Sequence, residues 1–418
     1  MIEHLRWIPD YRCGRVTIHN HVEMLACLIA GYLSGRTSVR RALDWCREHL
    51  DMLREHMELL GGIPSEATIS RLLKGVDEEL FSLTFTEWMS EIVGKSDLNI
   101  AIDGKALRGA TERIRDGKTP YVLNAVETVT QLVLAQLPID EKSNEITFIP
   151  MLLESLNIKE NTFTIDAIGT QKKIEKMIVE NGGHFVLQVK KNNPALYEEI
   201  MTEFSAFDEE YKLSQEERTK KLEPYIGEYE RINQQEKNRE RIEYRDIAVC
   251  GKTDFLNCVK SGEEGFIQSV ARVIQVRVPI EKDANGNDIT VSKEEFLTNG
   301  SHRKPRPTEG DGIKDDIQRV GMISDLKLSA SEMLNYKRTH WRIENGLHHV
   351  LDDTFREDRS PAKGGKNNLA LIRKIAYNIL RIAQIRDKPK NLMTQMMDYF
   401  CDHPEKVLEN VFSPIAAF

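Results

Sequence analysis

The feature that most constrains this chain is a change of hydrophobic period near Lys95. From His19 to about Lys95, apolar residues recur at spacings of three and four: Leu25, Leu28 and Ile29; Val39, Leu43 and Cys46; Leu53, Met57 and Leu60. That spacing is one face of a helix, so the segment reads as a small helical domain. Beyond Lys95 the period is two, with Leu98, Ile100 and Ile102 alternating with Asn99, Ala101 and Asp103. Asp103 therefore ends a strand, on the face opposite the aliphatic residues.

A charged loop (Gly104 to Thr119) precedes two β-rich runs, Tyr121 to Thr128 and Gln131 to Leu137, joined too closely for anything but a hairpin. Next come a helix over about Thr147 to Leu156 with Pro150 near its first turn and a strand from Thr162 to Asp166. In that strand Phe163 and Ile165 share one face, Thr164 and Asp166 the other. A helix from Thr170 to Asn181, Thr-capped and closed by Gly182-Gly183, leads to a strand from His184 to Lys190 and a helix from Pro194. Three strands followed by alternating helices and strands predict a mixed sheet covered by helices.

From Glu203 to about Asp246 the chain is charge-dense, which reads as a solvated helix or a linker. Then Ile247 to Cys250, Phe266 to Val278, Ile289 to Phe296 and Val320 to Ser324 are β-like, punctuated by turns at Asn285-Gly286, Asn299-Gly300 and Gly310-Asp311-Gly312. Helix returns at Ser329 to about Asp352 and at Asn367 to Arg386. With about 150 residues per domain, 418 residues make two or three. The expected division is a helical domain 1–95, a second domain 96–390 interrupted at about 205–328 by the charged stretch and a β-rich insertion, and a tail 391–418.

Charge and cysteine content exclude several classes. The net charge of −8 gives no global attraction for a polyanion, so contact with nucleic acid has to come from local basic surfaces. Ser331 to Lys390 holds thirteen Lys or Arg against seven Asp or Glu, and Gly104 to Lys118 five against two. The longest apolar run, Met24 to Ala30, is far below the ~20 residues of a membrane span, and the N-terminus lacks a signal peptide's apolar stretch, so a cytoplasmic protein is expected. Six scattered cysteines without a C-x-x-C pair suggest buried thiols, not disulfides or a zinc ribbon.

Asp103 and Asp166, both at strand ends and both facing away from the aliphatic side, would make an oxygen-rich pocket for Mg²⁺ if their strands were neighbours. A third carboxylate is available in KRTHWRIENGLHHVLDD, where Ile343, Leu347 and Val350 form a stripe and Glu344 lies beside it. His340 and His348 sit one turn either side, a pattern that alone could suggest a zinc or manganese site; the two aspartates account for Glu344 better. Trp341 could stack on a displaced base or fill a core. The helix opening at Pro64-Ser65 carries Ser65, Thr68, Ser70, Arg71 and Lys74, which fits either a DNA-reading helix or a bundle's surface helix with a Ser cap.

The segments AIDGKALRGA, NEITFIPMLLESL, FTIDAIGTQKKI, HFVLQVKKNNPALYEEI and HWRIENGLHHVLDDTFREDRS, followed by NNLALIRKIAYNILR, resemble the DDE transposases of the ISAs type, the group that includes the H-repeat-associated proteins. The likeness runs from the N-terminal helices, similar to that family's transposase-associated domain, to about Arg386. It implies an α/β, ribonuclease-H-like mixed sheet with flanking helices and a β-rich insertion before the last acid. Carried over one by one, Asp103 and Asp166 match the two aspartates and Glu344 the glutamate. They are expected to be catalytic and to hold two Mg²⁺ ions, with Mn²⁺ as a substitute, Asp103 bridging the two.

The resemblance also implies DNA transposition: cleavage at the element's terminal inverted repeats, then attack of the freed 3′-hydroxyl on target DNA, in a homodimer or higher synaptic assembly. Arg71, Lys105, Arg108, Lys190, Lys191, His340 and Arg342 are the candidate DNA contacts. Where the wider superfamily has a Tyr-x-x-Arg-x-x-x-Glu-x-x-x-x-x-x-Lys signature, this chain has Lys337, His340, Glu344 and Leu351. Two rival readings are a DNA-binding relic that no longer catalyses and a metal-dependent nuclease that never joins strands.

Overall fold

The computed structural model describes residues 1–12, 17–94, 96–107, 120–139, 145–210, 214, 223–225, 227–238, 241–282, 288–289, 292–293, 317–359 and 365–415. Contacts divide the chain into two compact units, 1–162 with 339–418, and 163–338. The helices upstream of Lys95 thus share a unit with the first three strands and the C-terminal helices.

The first unit opens with α1 (Ile2–Leu5), α2 (His21–Leu33), α3 (Val39–Glu48), α4 (Leu50–Arg54), α5 (Glu66–Gly75) and α6 (Glu78–Val93). Asn20, Ser38, Ser65 and Asp77 accept backbone N–H groups at the starts of α2, α3, α5 and α6, which satisfies donors a helix end leaves open. Helix α4 ends at Arg54, with a turn and irregular chain between it and Gly61. The centre of the unit is α2, buried continuously from Met24 to Leu33. Its Gly31 lies so close to α3 that a β-carbon there would stand 2.4 Å from that of Ala42.

Strands β1 (Asn99–Ala106), β2 (Tyr121–Glu127) and β3 (Val133–Ile139) form an antiparallel meander in which Asp103 is opposite Asn124 and Lys105 opposite Val122. The following helix, α7 (Glu145–Glu154), starts two residues earlier than expected and keeps Pro150 inside it.

The second unit begins with β4 (Thr162–Ile165), α8 (Lys172–Glu180), β5 (His184–Val189) and α9 (Pro194–Glu210), followed by β6 (Tyr229–Lys237) and β7 (Arg241–Cys250). After α10 (Asn257–Lys260) come β8 (Ser269–Pro279), the short pair β9 (Glu281–Lys282) and β10 (Asp288–Ile289), β11 (Ile317–Ser324) and α11 (Ala330–His340). Strand order runs β4-β5-β11-β8-β7-β6. A helix joins the neighbours β4 and β5, the parallel βαβ arrangement, whereas β5, β11, β8, β7 and β6 pair antiparallel in turn. The sheet is therefore mixed and the fold α/β.

Three expectations need correction. Asp103 does not end its strand: pairing with β2 continues through Gly104 and Lys105 to Ala106, so the aspartate lies inside β1. Thr170 does not cap α8; its hydroxyl donates to the Gln188 carbonyl at 2.5 Å, and Gln171 takes the cap position without a side-chain bond. Much of the charge-dense stretch is neither solvated helix nor linker but the β6–β7 ribbon, held by cross-strand pairs such as Arg245 with Glu236 at 2.8 Å and Arg231 with Asp246 at 2.5 Å. Charge there conceals a period of two. The turns at Asn285-Gly286, Asn299-Gly300 and Gly310-Asp311-Gly312, and most of Ile289 to Phe296, lie outside the described residues.

The chain re-enters the first unit at Thr339, at the end of α11, and the helix then widens. Ile343–His348 and Val350–Thr354 are π-helical, followed by a 3₁₀ turn at Glu357–Arg359. The buried row is Ile343, Leu347, Leu351 and Phe355, with Val350 only half-buried. A strict spacing of four needs more residues per turn than the 3.6 of an α-helix, and the π form supplies them. The long α12 (Lys366–Asp387) then packs on α2, and the tail folds as α13 (Met393–Asp402) and α14 (Pro404–Phe412), whose Met396, Phe400 and Val407 join the same core. Of the cysteines, Cys27, Cys46 and Cys250 are buried free thiols, Cys258 and Cys401 are half-buried, and Cys13 is outside the described residues.

Candidate active site

Asp103 lies on β1 with its side chain about one-quarter exposed. The strand's period turns Asp103 and Lys105 to one face and Gly104 to the other. Gly104 is needed there, because a β-carbon would stand 2.4 Å from both the Tyr121 ring and the Glu145 carboxylate. The D-G-K triplet is thus two polar residues aimed one way and an empty position aimed the other.

What the polar face meets is the π-helical segment. The Asp103 Oδ2 atom lies 3.7 Å from Nδ1 of His348. Burial pushes that imidazole down to about 3, and Lys105 and Lys374 push it further the same way, so it is neutral at ordinary pH and the approach is a dipolar contact, not an ion pair. One turn on, Lys105 Nζ is 2.5 Å from Asp352 Oδ1 and 2.5 Å from Glu357 Oε2. Burial raises the Glu357 carboxyl, but Lys374, Lys105 and Arg373 together hold it below the usual carboxylate range. Lys374, also fully buried, is pushed down to about 8 by burial and donates to Gln136 Oε1 at 2.5 Å. Glu344, His348 and Asp352 form the row beside the buried stripe, at the same spacing of four, and Glu344 is exposed.

The second unit holds Asp166 one residue past β4, at the start of the 3₁₀ turn Ala167–Gly169. Its Oδ1 accepts from Lys190 Nζ at 2.7 Å, with both side chains near half exposed. Asn192 Nδ2 donates to the Ala167 carbonyl at 2.5 Å, and with the Thr170 bond this ties the ends of β4 and β5 together. Lys337 is buried nearby; burial first, then Lys190, Arg277 and Arg245, push its amine down to about 8, opposed by Asp166.

The candidate DNA contacts separate into groups. Arg71, Lys191 and Arg342 are exposed, and Arg71 Nη2 donates to Thr68 Oγ1 at 3.2 Å. Lys105 and His340 are each 6% exposed, so neither presents a charged surface to a phosphate; Lys105 belongs to the framework. Lys190 is engaged with Asp166, Trp341 is half-buried, and Arg108 lies outside the described residues. The sequence reading missed Asp352, Glu357 and Lys374. A signal existed for the last, since Arg373-Lys374 interrupt an otherwise apolar run on a helix that buries sixteen residues.

Asp103, Glu344 and Asp166 are hard oxygen donors with solvent-accessible side chains, and a cation, the Lys190 ammonium, already rests on one of them. The donor chemistry therefore fits a divalent cation such as Mg²⁺. Among the described residues no three His, Cys, Asp or Glu side chains stand preassembled as a metal cage. No helix among them is long and apolar enough to cross a membrane.

Comparison with known proteins agrees with this chemistry. Residues 2–89 match the family described as DDE_Tnp_1-associated, and residues 95–379 match the one described as Transposase DDE domain. The "H repeat-associated putative transposase YhhI" of Escherichia coli (strain K12) is 30% identical over 383 residues, 91% of this chain and 90% of that protein. The "Putative transposase YncI" of Escherichia coli O157:H7 is 28% identical over 384 residues, 91% of this chain and 87% of that one. A solved piggyBac transposase synaptic complex with hairpin DNA superposes with a TM-score of 0.41 at 11% identity, covering 99% of this chain and 79% of that one, too slight a likeness to carry an argument. With a family match over two-thirds of its length and relatives alike along nearly all of it, the chain belongs to the transposases of the DDE domain family, with a ribonuclease-H-like fold.

Proposed function

We propose that this transposase binds the terminal inverted repeats of its element, cleaves DNA there and joins the freed 3′ end to target DNA, with Asp103, Asp166 and Glu344 as the carboxylates that hold two Mg²⁺ ions or their Mn²⁺ substitutes. The observation that carries the reading is the pairing of accessibility with order. The three acids fall in sequence inside the matched domain, and each keeps solvent-accessible oxygens while the neighbouring carboxylate Glu357 is buried and neutralised. When bound, divalent cations supply positive charge to the attacking and leaving oxygens of an in-line phosphoryl displacement.

The rest falls to side chains of the chain itself. Asp166 would help hold a cation where the Lys190 ammonium now rests, and Lys190 would then be placed to meet a phosphate. Exposed Lys191 and Arg342 hold the DNA backbone, His348 stays neutral beside Asp103, and Arg71 on α5 contacts the terminal repeat. Two ends held together require a homodimer or higher assembly, acting in the cytoplasm.

The test is to incubate the protein with Mg²⁺ and linear DNA carrying the terminal repeats. Cleavage and target-joined products are expected, and Asp103→Asn is expected to reduce cleavage by about 10³-fold or more. Cleavage without joined products means a nuclease, and binding without cleavage in wild type and variant alike means a relic.

A further inference from the structure

The D-G-K triplet contains a residue that the proposed reaction does not use directly. Lys105 is buried, and its ammonium is shared between Asp352 and Glu357, each at 2.5 Å. Asp352 belongs to the second π-helical stretch and Glu357 to the 3₁₀ turn that follows it, both downstream of the stretch that carries Glu344 and His348. Two residues of one strand face thus meet two successive turns of one helical segment: Asp103 meets His348, and Lys105 meets Asp352.

That arrangement fixes register. An apolar contact would fill the same space, but it is non-directional and would let the strand slide against the segment or the segment rotate. A lysine whose ammonium is 2.5 Å from each of two carboxylates has a narrow choice of geometry, because displacement lengthens two charge-assisted hydrogen bonds at once. The neighbouring cations Lys374 and Arg373 help balance Glu357, but each also has a contact elsewhere. Lys374 donates to Gln136, and Arg373 lies over the Tyr32 ring at 5.3 Å.

We infer that Lys105 is a positioning residue of the metal centre: locked by Asp352 and Glu357, it sets where Asp103 stands relative to the segment bearing Glu344. The inference rests on the reading of Asp103 and Glu344 as metal ligands. Lys105→Met is a fair variant, since Glu357 keeps Lys374 and Arg373 as counter-charges and Asp352 is half-exposed and can be hydrated.

The experiment titrates Mn²⁺ by electron paramagnetic resonance into full-length wild type, Lys105→Met, Lys105→Arg and Asp103→Asn. Thermal unfolding and metal-free binding to terminal-repeat DNA are measured alongside. Lys105→Met is expected to unfold cooperatively, to bind DNA within about twofold of wild type, and to bind Mn²⁺ about tenfold more weakly, with most of that loss restored in Lys105→Arg. A folded Lys105→Met with wild-type Mn²⁺ affinity overturns the inference and leaves the metal reading standing. An Asp103→Asn protein that binds Mn²⁺ like wild type removes the metal reading, and the inference with it. If Lys105→Met does not fold, Asp352→Asn decides: Mn²⁺ binding about threefold weaker supports positioning, and unchanged binding overturns it.

Discussion

Asp103, inside β1, and Asp166, just past β4, are each attended by a lysine, and the two lysines do opposite things. Lys105, two residues beyond Asp103 on the same strand, is buried and taken by Asp352 and Glu357, so it lies beside its aspartate without neutralising it. Lys190, at the end of the strand next to that of Asp166, is near half exposed and rests on the aspartate itself. The chemistry is the same and the dielectric differs. A buried ion cluster is fixed, because breaking it strands charge away from water; a half-exposed pair exchanges readily with water or another cation. One lysine is therefore part of a fixed framework, and the other rests on its aspartate in an exchangeable pair.

The contrast can be broken most forcefully at Glu357. Glu357→Ala leaves Lys105, Lys374 and Arg373 short of a buried counter-charge and is expected to cost roughly 3–5 kcal/mol by urea unfolding. A cost within the range of a surface pair would mean that the cluster is not the fixed element described here.

Glu175 sharpens the same point from the other side, as a buried carboxyl with an acidic neighbour. Burial, then Glu264, push it up to about 8, with Lys172 opposing. Its folded value lies above the unfolded one, so its contribution is complete below about pH 4.5 and is lost as pH rises to about 8. Glu175→Gln is expected to remove that decline, adding roughly 2–4 kcal/mol at pH 9 and little at pH 4. Parallel pH profiles for the two proteins would contradict the assignment.

Smaller effects are expected at the exposed cations. Arg71→Ala should weaken binding to terminal-repeat DNA about tenfold in a mobility-shift titration while leaving Mn²⁺ affinity unchanged; equal loss on random DNA would restrict Arg71 to phosphate contact. Lys190→Ala should change stability by less than about 1 kcal/mol and, by removing the ammonium from Asp166, raise Mn²⁺ affinity about threefold. A large loss of stability there would put Lys190 in the same class as Lys105.

Legibility in the sequence followed the same division between local pattern and burial. The alternation Leu98, Ile100, Ile102 placed Asp103 on the polar face of β1, and the strand–helix–strand order from Thr162 to Lys190 agrees with β4, α8 and β5. Both rest on periods of 2 and 3.6, which any local window contains. The β6–β7 ribbon escaped because its cross-strand partners are charged and the window saw only charge. The π-helical widening escaped because its cause, a core contact every four residues from Ile343 to Phe355, is tertiary. Lys105 looks like a phosphate contact in the sequence for a similar reason: its two carboxylates lie some 250 positions downstream, and no local pattern announces them.

The central claim is that Asp103, Asp166 and Glu344 act as one metal centre. Its most direct test counts bound Mn²⁺ in the complex with terminal-repeat DNA for wild type and for Asp103→Asn, Asp166→Asn and Glu344→Gln. The account predicts that each single replacement depletes the same bound ions and abolishes cleavage while DNA binding persists. Bound Mn²⁺ that persists in full in any one of the three variants, with cleavage intact, would contradict it.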